Sequence, residues 1–213
     1  KLLLLDAKDA FSKQRLFQKA WSELYPGIVE WVSLSQGGKV IEVDAMSRRV
    51  VTEFGTHDGD VVNVIPPQRA ADLARNAGLV NVNNRWVGVN WLTMESTALP
   101  GVHVLGDATF PAPTMPKSAH MANQHAKVAA AAVIQLLKGE AVNATPVVMN
   151  TCYSFVSARE VIHVASVHQY DAAQKTFQPV AGAGGVSAAA NQVEARYALS
   201  WADNIWADAL ALT

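Results

Sequence analysis

A single cysteine, Cys152, stands among 213 residues. No disulfide can therefore close within the chain, and the sulfur is either a buried inert thiol or half of a bond to another polypeptide. No apolar run approaches the ~20 residues that a bilayer-crossing helix needs. The longest, Val128 to Leu137, is broken by Gln135 and closed by Lys138, so no membrane span is expected. Neither sign of charge prevails: 17 Lys and Arg face 18 Asp and Glu, a formal charge of −1. That balance offers no electrostatic footprint for nucleic acid or anionic lipid. Charged residues make up only 16% of the chain, which implies that part of the surface is covered by more chain or by a partner. The patterns G-x-S-x-G, G-x-x-x-x-G-K and C-x-x-C-H are all missing. Of the six histidines, His57 and His103 stand apart, while His120/His125 and His163/His168 are spaced i, i+5. That spacing does not align two ligands on one helical face, and no Cys–His spacing suits zinc. No metal site is expected.

What is present is a globular chain. Half of the residues are apolar, which excludes disorder as the main state. The length allows one to two domains. The chain opens on Lys1 and then the run Leu2–Leu5 before Asp6. Four leucines without alternation read as a strand covered on both faces, as in a parallel sheet. With no signal peptide visible, such a beginning reads as that of a fragment or processed product.

A helix is expected from Ala10 to Trp21 with Ser12 as N-cap, stopped by Pro26-Gly27. Lys39–Val43 and Arg49–Glu53 read as antiparallel strands around the turn Asp44–Arg48, and Val61–Pro67 as a further strand. Gln68–Ala77 reads as a short helix ended by Gly78, and Trp86–Leu92 as a strand. Strand Gly101–Leu105 leads into Gly106-Asp107-Ala108. A proline-rich loop, Phe110 to Pro116, precedes an alanine-rich helix from Ser118 to Leu137, closed by Gly139. Strands follow around Val147–Val156 and Glu160–His168, then a glycine-rich turn at Ala181–Gly185. A helix from Asn191 to Leu212 carries Trp201 and Trp206. There are no internal repeats.

The strongest chemical signal is Gly101–Ala108 with the helix that follows. A strand that delivers Gly106 and Asp107 at its carboxyl end presents them where ligands bind in open α/β sheets. Glycine lets the backbone come close, and a carboxylate accepts hydrogen bonds from ribityl or ribose hydroxyls. Ten residues on, a helix N-terminus near Ser118 offers free N–H groups and the positive end of its dipole to a polarised ring edge. Lys117 adds a point charge.

This strand–GDA–loop–helix resembles the second FAD-binding motif of flavoproteins with two dinucleotide-binding domains. More narrowly, VNVIPPQRAADLARNAGL (Val62 to Leu79), MPKSAHMANQHAKVAAAAV after the GDA segment, and NTCYSFVS (Asn150 to Ser157) together resemble the flavoprotein subunit of flavocytochrome c sulfide dehydrogenase. LLLLDAKDAFSKQRLF resembles the second strand and turn of its nicotinamide-like domain. The resemblance covers the whole chain but only the C-terminal half of such a subunit. It implies an α/β fold with FAD/NAD(P)-binding, Rossmann-like segments and an α+β C-terminal domain. Residues 1–70 would be the remainder of the nicotinamide-like domain, 71–142 the second segment of the FAD domain, and 143–213 the C-terminal domain.

The resemblance further implies a flavin-dependent oxidoreductase with FAD held by Gly106 and Asp107. Met115, Pro116, Lys117 and Ser118 would line the flavin edge. Cys152 would share a redox disulfide with a cysteine from the N-terminal half of the flavoprotein, and sulfide would attack that disulfide. Trp206, with Trp201 second, would be the aromatic near flavin and disulfide. Asp6 takes no role. Electrons would pass to a c-type cytochrome subunit that carries the haem c, in the periplasm. The alternatives are a sulfide:quinone oxidoreductase, disfavoured because the last helix lacks a basic flank, and a non-catalytic electron-transfer or scaffold subunit.

Overall fold

The computed structural model describes residues 1–210, so the end of the expected last helix, Ala211 and Leu212, lies outside the described residues. The chain is mixed α/β, with several sheets and, among the described residues, four α-helices. It divides into two compact units. One comprises residues 1–67, 155–162 and 188–195; the other takes the remaining described residues.

The first unit begins with β1 (Leu2–Leu5), α1 (Gln14–Leu24) and β2 (Val29–Val32). The two strands pair in parallel, Leu2 opposite Val29 through Leu5 opposite Val32. The leucines are less covered than their uniform apolarity suggests. Leu2 is half exposed and the other three half-buried, because among the described residues β1 has only β2 as a neighbour in its sheet. The helix also starts later than expected. Lys13, not Ser12, is the N-cap; it sits in the left-handed region at φ 62° and makes no side-chain cap. Phe11 then turns back onto Trp21 and Trp31, with ring centroids 5.8 and 5.2 Å away.

The hairpin is as the sequence predicts: β3 (Val40–Asp44) and β4 (Arg49–Thr52) are antiparallel, and β5 (Thr56–Asp58) adds a third strand. The segment Val61–Pro67 forms no strand. Val61 and Ile65 are largely exposed, and Pro66-Pro67 removes two successive ladder donors. Residues 155–162 and 188–195 complete this unit, where Ala20, Val156 and Ile162 form a small core.

The second unit starts at α2 (Asp72–Asn76), shorter than expected but followed by Gly78 at φ +72°. Four short strands follow: β6 (Val80–Val82), β7 (Trp86–Val87), β8 (Val89–Asn90) and β9 (Glu95–Ser96). Then come α3 (Ala119–Lys138), β10 (Val147–Phe155), β11 (Val161–Asp171), β12 (Thr176–Pro179), β13 (Gly185–Val186) and α4 (Gln192–Leu210), of which Phe155, Val161–Ile162 and Gln192–Ala195 fall in the first unit. Strands β10, β11 and β12 are neighbours in that order, and β13 pairs β11. Trp91, Met94, Met115, Met121, Val148 and Phe177 share the main core, which locks α3 and β10 side by side.

Gly101–Leu105 is extended but joins no ladder among the described residues. A single antiparallel bridge, Glu95 to His103, holds it, with bonds from Ser96 N to Val102 O and from Val104 N to Met94 O. A short apolar run carries no information about its partners, and here it finds a bent strand end rather than a sheet.

Candidate functional site

The extended segment ends in a 3₁₀ turn, Gly106–Ala108. Gly106 adopts φ +68°, and a Cβ there would lie 3.0 Å from Ala122 Cβ on α3. Glycine is thus required twice, by the left-handed backbone and by the approach to the helix. The Gly106 N–H donates to His125 Nδ1 at 3.2 Å, and its carbonyl accepts from Thr109 Oγ1 at 2.8 Å. His125 is 2% exposed. Burial, with Lys117 nearby, pulls it down to about 4. It is therefore neutral at pH 7, with its proton on Nε2, since Nδ1 accepts.

Asp107 is exposed, and its backbone carbonyl accepts from Lys117 Nζ at 2.7 Å. The same ammonium donates to Thr109 O at 2.6 Å and sits 3.8 Å from the Trp86 ring centroid. Burial, and secondarily Arg85, lowers the Lys117 pKa, while Asp107 opposes the shift. The lysine thus fastens the turn to the loop while keeping its charge at the site. Gly106, Asp107, Met115, Pro116 and Lys117 line one cleft, together with His125. Met115 also reaches into the core, at 6% exposure.

Ser118 is the N-cap of α3, where its hydroxyl accepts from Met121 N. Its own proton goes to Asn150 Oδ1 at 2.5 Å, and Asn150 Nδ2 donates to Cys152 Sγ at 3.1 Å. Asn150 and Cys152 are two apart on β10 and so share a face of the strand. Thr151 N donates to His120 Nδ1 at 3.1 Å, so the first turn of α3 is joined to β10 at two points. Burial, then Lys127, holds the His120 pKa down.

Tyr153 lies 6.1 Å from Trp201 and 6.2 Å from His163, and Trp201 packs edge-on to His120 at 5.8 Å. The Trp201 indole N–H is buried with no acceptor among the described residues. Trp206, further along α4, is 58% exposed. Of the two tryptophans, Trp201 is the one in ring contact with the residue next to Cys152. Lys127 and Asp208 tie α3 to α4 at 2.6 Å.

Two family models match. Residues 1–66 match the central region of the sulfide dehydrogenase [flavocytochrome c] flavoprotein chain, and residues 144–210 match the flavin-binding region of flavocytochrome c sulfide dehydrogenase. The chain belongs to this flavoprotein family. The two matched stretches together take in more than half of the sequence. Cys152, Trp201 and Trp206 lie inside the flavin-binding match, whereas Gly106, Asp107 and Ser118 lie between the two matches. A flavin-binding region supports FAD as cofactor, and the family name pairs the flavoprotein with a c-type cytochrome. No helix among the described residues is long and apolar enough to cross a membrane, and no group of three or more His, Cys, Asp or Glu among them could hold a metal ion.

The sequence alone assigns no role to Asn150, which lies in the NTCYSFVS stretch, or to His120 and His125. Only one signal was available for Asn150, its i, i+2 spacing from Cys152.

Proposed function

We propose that this flavoprotein oxidises sulfide through a redox disulfide that includes Cys152, and passes the electrons through FAD to a c-type cytochrome in the periplasm. The observation that supports the reading most is the continuous contact from the α3 N-terminus through Ser118 and Asn150 to the Cys152 sulfur. It ties the one cysteine of the sequence to the helix tip beside the Gly106–Asp107 turn.

The residues present fit FAD. The missing Cβ at Gly106 lets the turn lie against Ala122 of α3, which holds Asp107 close to that helix. The exposed Asp107 carboxylate is free to accept from ribityl hydroxyls, and Ala119 and His120 begin a helix whose first N–H groups lie outside the ladder. Lys117 adds positive charge next to Pro116 and Met115. Bound FAD would take up an electron pair and release it one electron at a time, which matches a two-electron donor to a one-electron haem.

Within this chain, the cysteine has to accept and release a bond. Hydrosulfide adds to one sulfur of the disulfide, the S–S bond breaks, and the other sulfur leaves as thiolate. The second cysteine is not in this sequence. Residues 1–70, 71–142 and 143–213 would serve as nicotinamide-like, FAD-binding and C-terminal domains, the first two being Rossmann-like in origin.

FAD titration of the purified protein, followed by quenching of flavin fluorescence, tests the cofactor site. Saturable binding that weakens at least about tenfold in Asp107→Ala supports the reading, by the loss of a charge-assisted hydrogen bond. Absence of binding by the folded protein contradicts it and favours a scaffold role.

A further inference from the structure

The hydrogen bonds around Cys152 have a direction. Ser118 Oγ accepts from Met121 N, so its single proton is free to point at Asn150 Oδ1. With its oxygen engaged, the Asn150 amide presents its N–H to the sulfur. Every donor in the series Met121, Ser118, Asn150 therefore points towards Cys152. Such a series polarises cooperatively, and it starts at the positive end of a 20-residue helix. Asn150 is 3% exposed, so little water competes for its amide. Cys152 is half-buried and remains reachable by a small reagent.

We infer that Asn150 is a positioning residue that holds Cys152 Sγ as an acceptor of hydrogen bonds, which makes Cys152 the leaving sulfur of the disulfide. The inference builds on the redox role proposed above and says which sulfur does what. Hydrosulfide forms its new S–S bond with the second cysteine. The bond from that sulfur to Cys152 Sγ breaks, and its electron pair stays on Cys152, where the Asn150 N–H meets the charge. The second cysteine carries the persulfide, and the hydrosulfide proton goes to solvent or a nearby base. A hydrogen bond to the departing charge lowers the barrier only to the extent that it strengthens as the charge develops.

The test uses the reduced protein and iodoacetamide, with Cys152 alkylation followed by mass spectrometry at pH 7 and pH 10. In Asn150→Asp, which keeps the shape but turns an acceptor towards the sulfur, the rate falls about tenfold or more at pH 7 and is unchanged at pH 10. Ser118→Ala, at the far end of the series, gives a smaller fall with the same pH dependence. Equal falls at both pH values would mean that only access changed, and wild-type rates in both variants would mean that the series carries nothing. Either overturns the inference.

This arm needs no flavin, so it stands or falls apart from the proposed function. In the second arm, sulfide is added to the native, disulfide-containing protein and the persulfide is trapped. A persulfide on the second cysteine agrees, and one on Cys152 overturns the assignment. No persulfide at all counts against the sulfide reading, and the alkylation arm then decides the role of Asn150.

Discussion

Lys117 Nζ lies 3.8 Å from the centroid of the Trp86 ring while donating to the carbonyls of Asp107 and Thr109. One side chain thus closes the turn at Gly106–Ala108 onto the start of α3. Replacing it by methionine keeps the stem and removes the donors. Lys117→Met is expected to cost about 1 kcal/mol, the order of a hydrogen bond to a charged group on a partly exposed side chain. It should also speed amide exchange in residues 107–115, measured by hydrogen exchange. Lys117→Arg, with its planar fork, should recover only part of the loss.

Gly106→Ala meets two obstacles, the φ of +68° and the 3.0 Å approach to Ala122 Cβ. The expected loss is about 1–2 kcal/mol in urea denaturation, the scale of a left-handed backbone on a residue with a Cβ. Adding Ala122→Gly relieves the contact but leaves the backbone cost, so the double variant should recover part of the loss and no more.

The buried histidine makes stability depend on pH. His125 falls to about 4 in the folded state from an ordinary value of 6.5, so the unfolded chain takes up the proton first. Its stabilising contribution is full above pH 6.5, declines as pH falls and levels off below about 4, a total of roughly 3 kcal/mol. His120 and His168, also lowered chiefly by burial, act in the same direction. His125→Asn places an amide oxygen near the position of Nδ1 but cannot titrate there. The slope of unfolding free energy between pH 6.5 and 4 should then flatten.

The two tryptophans of α4 should separate cleanly. Trp201 packs on His120 and Tyr153, and Trp201→Ala should cost about 2 kcal/mol, below the value for a fully buried tryptophan. Trp206 is mostly exposed, so Trp206→Ala should cost under about 0.5 kcal/mol. Thermal unfolding of both variants measures the difference.

Features that depend on neighbouring residues were legible in the sequence. Ser118 and Gly139 bracket α3 because capping is local chemistry. The hairpin β3–β4 follows from a polar turn between two apolar runs. The start of α1 is not legible from Ser12, because Lys13 takes a left-handed conformation that its side chain does not announce. Gly101–Leu105 reads as a strand, but ladder partners are set by tertiary structure, and it found a single bridge. The cleft residues Gly106 to Lys117 could be named because they lie within one short segment. The link from Ser118 to Asn150 spans 32 positions and that from His120 to Thr151 spans 31. No local pattern encodes contacts of that range.

Anaerobic addition of sulfide to the flavin-loaded native protein tests the central claim most directly, with flavin absorbance as the readout. The account predicts rapid bleaching in the wild type, and in Cys152→Ser a flavin that stays bound and oxidised. Bleaching of Cys152→Ser at the wild-type rate would contradict it.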